Sequence, residues 1–309
     1  MSPVFLKIPG EGENYSYPVL GLGNFDGLHI GHQMILKRVA QKAEEKRGTA
    51  MAFTFDPHPV KVLFPERSIE VLSVTKDKIE LIEKCGIRTI FCIDFTKEFS
   101  LQSPRDFVKT FLVDRLKVRE VFVGKNYGFG KGRSGNVEML GSFGEEFGFH
   151  VEIIPPVVLN GQMVSSSLIR KLLLEGRVEE AIPMLGRPYQ IEGTVVEGEG
   201  RGKQLGYPTA NIMPGEKLIP GNGVYSVKVE IKGVSYPGVV YIGTQPTFKN
   251  SIRQVEVHLL DYTGKLYGEE LKVHFYGNVR GEMKFPDRNS LVRQITGDIL
   301  KAKEILNRY

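Results

Sequence analysis

The chain has 309 residues, 41% hydrophobic and 25% charged, with a formal charge of +5, a balance that suits one large or two medium globular domains. Its 41 basic and 36 acidic residues are interspersed, so no charged tail or block marks a nucleic-acid-binding protein. The nearest basic stripe with aromatics, Gly128 to Arg133, is short and Gly-rich, which excludes nucleic acid as the expected partner. Met1 to Gly10 lacks a signal-peptide pattern, and no stretch reaches membrane-spanning length, so the expected location is cytoplasmic, away from membranes. Cys85 and Cys92 form neither a CxxC pair nor a disulfide framework, which predicts reduced, buried thiols and no zinc site.

In chain order, an apolar run from Val19 to Leu22 leads into Gly23-Asn24-Phe25-Asp26-Gly27-Leu28-His29-Ile30-Gly31-His32. Ile35, Leu36, Val39, Ala40 and Ala43 then recur at helical spacing until Gly48, so the stretch reads as strand, Gly-rich turn and helix start. Strands are predicted at Thr49 to Phe55, Thr89 to Asp94, Glu120 to Gly124 and His150 to Ile154. Helices are predicted at Thr75 to Cys85, Pro104 to Leu116 and Val137 to Phe147. This alternation argues for a doubly wound parallel sheet, with ligands beyond the carboxyl ends of its strands. From about Gly186 the pattern becomes short strands punctuated by Gly and Pro: Ile191 to Val196, Val224 to Ile231, Tyr236 to Ile242, Gln254 to Leu260 and Leu271 to Tyr276. These predict an antiparallel barrel or sandwich. Leu291, Ile295, Ile299, Ala302 and Leu306 mark a closing helix. The predicted domains are 1–185 and 186–309.

Two imidazoles separated by a Gly, where the free N–H groups of a helix N-terminus already favour anions, suit a nucleotide triphosphate. As an isolated match, His-x-Gly-His is equally an ordinary polar turn, and the flanking strand and helix decide for function. In Phe55-Asp56-Pro57-His58-Pro59 two prolines stiffen the backbone around His58, which reads as a braced turn or a substrate loop. Lys125 to Gly135 carries Asn126 and two aromatics, Tyr127 and Phe129, that would either stack on a ring or anchor the loop to the core. Ser165, Ser166 and Ser167 open a helix from which Arg170 projects. Taken alone they are a cap, but with the His pair they form a phosphate site.

In the second half, Gly198 to Asn211 is a Gly-rich loop without Walker spacing, able to turn N–H groups toward an anion or to serve as a plain hairpin. Glu256 and His258 share one strand face and Val255 and Val257 the other. The carboxylate is expected on an inner face.

The motifs GNFDGLHIGH, FDPHP, VGKNYGFGKGRSG and VSSSLIR, in this order, resemble the adenylyltransferase half of bacterial bifunctional riboflavin kinase/FMN adenylyltransferases, the FAD synthetases. Pro-Thr-Ala-Asn, Gly223-Val224-Tyr225, Ile242 to Phe248, Val255 to His258 and Tyr267-Gly268 resemble riboflavin kinases. The resemblance implies an N-terminal doubly wound parallel-sheet nucleotidyltransferase domain followed by an antiparallel β-barrel kinase domain with a closing helix. By it the barrel phosphorylates riboflavin to FMN, and the first domain adenylylates FMN to FAD with release of pyrophosphate. His29, His32 and Arg170 would stabilise charge developing on the phosphates. Gly23, Asn24, Phe25, Asp26, Gly31, Ser165, Ser166 and Ser167 would hold ATP in the first domain, and Gly200, Gly202 and Gly206 in the second. His58, Asn126, Phe129 and Arg280 would contact flavin. Thr209 and Asn211 would ligate Mg²⁺, and Glu256 would be the general base.

The resemblance also implies small-molecule substrates only and a monomer or weak homo-oligomer. Departures from the family pattern are Ser167 for Thr, Gly128 for a larger residue, Asn136 for Asp and Tyr241 for Asn. Two other readings are weaker. An amino-acid-activating ligase would need a KMSKS segment that is missing, and a non-catalytic nucleotide-binding protein would have no use for Glu256. A riboflavin kinase carrying a degenerate first domain remains the alternative.

Overall fold

The computed structural model describes residues 4–6, 14–66, 70–198, 202, 205–246 and 251–309. The chain forms two compact units that divide between Ser166 and Ser167.

The first unit contains strands β1 (Val4–Leu6) and β2 (Pro18–Leu22), helix α1 (Ile30–Glu45), β3 (Thr49–Asp56), the short α2 (Pro59–Leu63), α3 (Thr75–Glu83) and β4 (Thr89–Asp94). There follow α4 (Lys97–Ser100), α5 (Pro104–Phe107) with a π-helical continuation over Val108–Arg115, β5 (Glu120–Gly124), α6 (Val137–Phe147), β6 (His150–Ile154) and a small hairpin of β7 (Val158–Leu159) and β8 (Gln162–Met163). The main sheet runs β1-β4-β3-β2-β5-β6, and every pairing in it is parallel. Strand order therefore reverses at β2, whose carboxyl end faces the crevice where such sheets bind ligands.

Alternation along β2 explains the two-sided burial. Val19 packs on one face with Ile35, Leu36 and Val39 of α1 and with Ile82 of α3. Leu20 and Leu22 pack on the other with Phe107, Phe111 and Leu140. Gly21 lies against Leu36 and Val39, and a Cβ there would come within 3.2 Å of Leu36, so its lack of a side chain lets α1 sit close to the sheet. Burying a side chain such as Leu36 contributes about 2 kcal/mol.

The predicted α-helix over Pro104 to Leu116 widens after Phe107. Leu116 N–H donates to Phe111 O, five residues back, because Phe107 and Phe111 both turn into the aromatic cluster around Phe53.

The second unit holds the rest of α7 (Ser166–Leu174), α8 (Val178–Leu185), and strands β9 (Tyr189–Val196), β10 (Ala210–Pro214), β11 (Gly223–Ile231), β12 (Val234–Pro246), β13 (Ser251–Leu259) and β14 (Glu270–Arg280). The strands close into a barrel in the order β10-β13-β12-β11-β14-β9, all antiparallel, with β10 and β9 sealing the ring. Helix α9 (Arg288–Leu306) lies on its outside, where Ala302, Ile299 and Ile305 cover Val224, Val239 and Val279. Ser226 Oγ donates to Ala302 O at 2.8 Å. This cover is why the first five residues of β11 are all buried and do not alternate. Residues 167–185 belong with the barrel: Gly221 N–H donates to Leu173 O, and Asn278 Nδ2 donates to Gly176 O at 3.1 Å.

Candidate functional sites

In the first unit, Phe25 (φ 49°) and Gly27 (φ 74°) adopt left-handed backbone, which folds residues 23–28 tightly beyond the end of β2. Gly23 N–H donates to Phe53 O at 3.2 Å, and Leu28 N–H to Phe25 O at 3.2 Å. Thr54 Oγ1 donates to Asn24 O at 3.0 Å. Asp26 is buried at 2% exposure. Its carboxylate accepts from Leu72 N–H at 3.0 Å, from Ser73 N–H at 3.1 Å and from the Ser73 hydroxyl at 3.3 Å. Its carbonyl accepts from Ser166 Oγ at 2.9 Å. Asp26 thus clamps the turn to two distant segments, a role sequence reasoning missed because its partners lie 46 and 140 residues away.

His29 is the N-cap of α1, its Nδ1 accepting from His32 N–H at 3.3 Å. An accepting Nδ1 carries no proton, so neutral His29 keeps its proton on Nε2 and can donate from there. The His32 ring stacks on His29, with centroids 3.6 Å apart and planes 18° apart, and meets the Phe25 edge at 5.4 Å. Gly31 permits this stack: a Cβ there would stand 3.2 Å from the His29 ring. His32 Nδ1 is buried without a hydrogen-bond partner, an unfavourable state that proteins retain mainly at functional sites. Burial, with His29 and Lys78 adding to it, holds the His32 pKa well below its usual value. His32 therefore works at neutral pH as an uncharged imidazole.

His58 caps α2, with Nδ1 accepting from Val60 N–H at 3.3 Å. Asn126 is exposed, its Nδ2 3.8 Å from Met163 Sδ. The Gly-rich loop is held by an Arg133 guanidinium bond to Asn126 O at 3.2 Å and by a backbone bridge between Phe129 and Gly135. Phe129, 6% exposed, stacks on Tyr127 at 5.7 Å and tilts against Phe107 at 5.8 Å, so its ring anchors the loop to the core. Asn136 caps α6, its side chain accepting from Met139 N–H at 2.9 Å. Ser165 and Ser166 fall in the first compact unit, and Ser167 and Arg170 in the second.

In the barrel, Asn211 on β10 stands opposite Glu256 on β13, and Thr209 Oγ1 donates to Glu256 Oε2 at 3.2 Å. Val255 and Val257 are 1% exposed and fill the interior. Glu256 therefore faces the outer wall, not the expected inner face, because the apolar valines occupy the interior. His258 Nδ1 lies 2.8 Å from Pro208 O. A carbonyl only accepts, so that nitrogen carries the proton. Tyr207 meets the His258 ring edge-on at 5.7 Å, and its hydroxyl is 2.8 Å from Thr296 Oγ1. These contacts seat the Pro-Thr-Ala-Asn segment against β13. A side chain at Gly198 would collide with the Asn211 amide, and one at Gly202 with Tyr207 O. Gly206 has φ 87°. Gly200, like Thr247 and Phe248 of the resemblance, lies outside the described residues.

Arg280 Nε donates to both Asp298 oxygens at 3.1 and 2.9 Å, and Nη2 is 2.9 Å from Oδ2. This fork on a 4% exposed carboxylate braces α9 against β14. Tyr241, opposite Glu256 across the β12·β13 ladder, donates to Glu282 Oε1 at 3.2 Å. Its phenol pKa is raised first by burial and then by Glu282.

Oxygen donors at Thr209 and Asn211 beside the Glu256 carboxylate match the preference of a hard divalent cation. Among the described residues no group of three or more His, Cys, Asp or Glu could hold a metal ion.

Two family models match the chain, FAD synthetase over residues 13–168 and riboflavin kinase over residues 185–306. Proteins named bifunctional riboflavin kinase/FMN adenylyltransferase are similar along nearly the whole length. The Listeria monocytogenes protein is 38% identical, with 91% of this chain and 90% of that one covered. The Buchnera aphidicola (Schizaphis graminum) protein is 35% identical, covering 94% and 95%, and the Escherichia coli K12 protein 33%, covering 93% and 92%. A crystal structure from Streptococcus pneumoniae, described as a macrolide-efflux protein, shares the fold at TM-score 0.88 and 30% identity, covering 97% and 98%. Among the described residues no helix is long and apolar enough to cross a membrane.

Proposed function

The chain belongs to the family of bifunctional riboflavin kinase/FMN adenylyltransferases, and from that premise we propose how its residues divide the two reactions. It is an enzyme that phosphorylates riboflavin with ATP to FMN and adenylylates FMN with ATP to FAD and pyrophosphate. The observation that carries the assignment is that each unit presents its own reactive constellation: the stacked His29–His32 pair at a helix N-terminus, and the Thr209–Glu256 contact on the barrel wall.

In adenylylation an FMN phosphate oxygen attacks the α-phosphorus of ATP, the bond to the bridging oxygen breaks, and pyrophosphate leaves. His29 donates from Nε2, and neutral His32 acts as a dipolar N–H donor, as uncharged imidazoles do at helix N-termini. Backbone N–H groups of the Gly23 to Gly31 turn and the Ser165 and Ser166 hydroxyls complete the phosphate cradle, and the family resemblance assigns Ser167 and Arg170 to ATP as well. Asp26 serves that cradle by holding its shape. His58 and Asn126 contact flavin. Because Ser167 and Arg170 serve this reaction, we keep the functional boundary at 185/186, with adenylylation in 1–185 and the kinase in 186–309.

In the kinase reaction Glu256 orients the ribityl 5′-hydroxyl and takes its proton as the bond to the γ-phosphorus forms and ADP departs. Thr209 and Asn211 would hold Mg²⁺, which neutralises phosphate charge when bound. The bond from Thr209 Oγ1 leaves that oxygen's lone pairs for the cation while fixing the carboxylate. Gly200, Gly202 and Gly206 lie in the ATP loop. Arg280 orients α9, and its remaining N–H groups are available to a flavin phosphate.

Glu256→Ala should abolish FMN formation and spare FAD formation from supplied FMN, whereas His29→Ala/His32→Ala should do the reverse, with both products followed by chromatography. Equal loss of both activities in either variant would refute the division. From the family resemblance and the interspersed charges we propose a monomer or weak homo-oligomer with no nucleic-acid partner. Buried, unbridged Cys85 and Cys92 accord with a cytoplasmic protein. Sedimentation showing an obligate oligomer would overturn the first of these, and fractionation away from the cytoplasm the second.

A further inference from the structure

Position 78 shares the buried face of α3 with Ile82, four residues on, yet it is a lysine, 4% exposed. Its ammonium donates to Phe55 O at 2.8 Å and lies 3.5 Å from Thr54 Oγ1. Among the described residues no carboxylate stands within ion-pair distance of it. A buried cation bonded directly to neutral oxygens loses solvation that Asp26 and Asp56, at longer range, offset only in part. Thr54, fully buried, passes its own proton to Asn24 O at 3.0 Å, which puts Lys78 two hydrogen bonds from the turn that starts α1.

We propose that Lys78 is a positioning residue for adenylyl transfer: it fixes the carboxyl end of β3 and, through Thr54, the Asn24 carbonyl, and brings a positive charge to that turn. This rests on the assignment of that pair to FAD formation. The groups that face Lys78 are Asp26 of the turn, Asp56 at the end of β3 and Cys92 of β4. The Cys92 thiol is pushed up to about 11 by burial and stays protonated. Burial is the largest cause of the lowered His32 pKa, and His29 and then Lys78 lower it further. An incoming polyphosphate then meets a site whose nearby cation is already desolvated and held in place, the condition for electrostatic preorganisation.

The test uses the full-length protein with Lys78→Met, Lys78→Arg and Thr54→Val. In Lys78→Met, kcat for FAD formation from FMN should fall about tenfold to a hundredfold with KM for FMN little changed. FMN formation by the same protein should be unaffected. The His32 imidazole, followed by NMR titration, should shift upward in Lys78→Met, because a cation that lowered its pKa has gone, and stay put in Thr54→Val, which breaks only the relay. Lys78→Arg should restore part of the rate. FAD formation within about twofold of the parent in Lys78→Met, or an unmoved His32 titration, would overturn the inference. If Lys78→Met fails to fold, a parental rate in Thr54→Val overturns it instead. Intact FAD formation in His29→Ala/His32→Ala would sink the underlying site assignment, a separately visible result.

Discussion

His29 carries two duties in the proposed reaction with one ring: its Nδ1 caps α1, and its Nε2 is left to donate. The stack with His32 leaves Gly31 little room, since a methyl there would press on the His29 ring at 3.2 Å. Gly31→Ala removes a poor helix former and should leave stability unchanged or raise it by up to about 1 kcal/mol. It should nevertheless lower kcat for FAD formation about tenfold through misplacement of the ring, with FMN formation intact. Thermal unfolding and product assays on the same sample check both halves. That both imidazoles open α1 was legible because their neighbours in sequence are their neighbours in space. The roles of Asp26, Thr54 and Lys78 were not, because contacts 23 to 140 residues distant decide them.

At the scale of elements, strands and helices with a sustained apolar period were legible to within a residue or two: β4, β5, β6 and α6 have the predicted bounds. What escaped were elements defined by partners. β1 is an edge strand of three residues recognisable only by its pairing with β4. β10 hides its apolar Ile212 between Asn211 and Met213, and it is a strand because β9 and β13 pair with it on either side. The π-helical turn after Phe107 follows from aromatic packing, which a 3.6-residue period cannot register. The closing helix was visible in its apolar stripe, but not its fastening by Arg280 and Asp298. Removing one partner of a buried pair leaves the other charge uncompensated, so Asp298→Asn should destabilise the barrel by about 3 kcal/mol. Urea titration read by FMN formation should show it, whereas FAD formation from FMN should respond little.

For the whole molecule, two reactions in one chain use constellations that share no residue. A chain disabled by Glu256→Ala should therefore be complemented by one disabled by His29→Ala/His32→Ala. The mixture, given riboflavin and ATP, should accumulate FAD that neither protein makes alone, and continued absence of FAD would mean that FMN cannot pass between chains. The two-part architecture was readable from the shift in punctuation near Gly186. The compact boundary at Ser166/Ser167 was not, since bonds such as Asn278 to Gly176 O, not composition, bring residues 167–185 to the barrel.

β10 also seals the barrel ring. Since Thr209 immediately precedes that strand and Asn211 lies in it, a kinase unit caught before β10 is seated between β9 and β13 has neither residue in reach of Glu256. Nucleotide binding is then linked to completion of the fold: whatever binds only the sealed ring draws the population toward it. The ATP that serves as phosphoryl donor is in this sense also the last stabilising partner of the domain that consumes it.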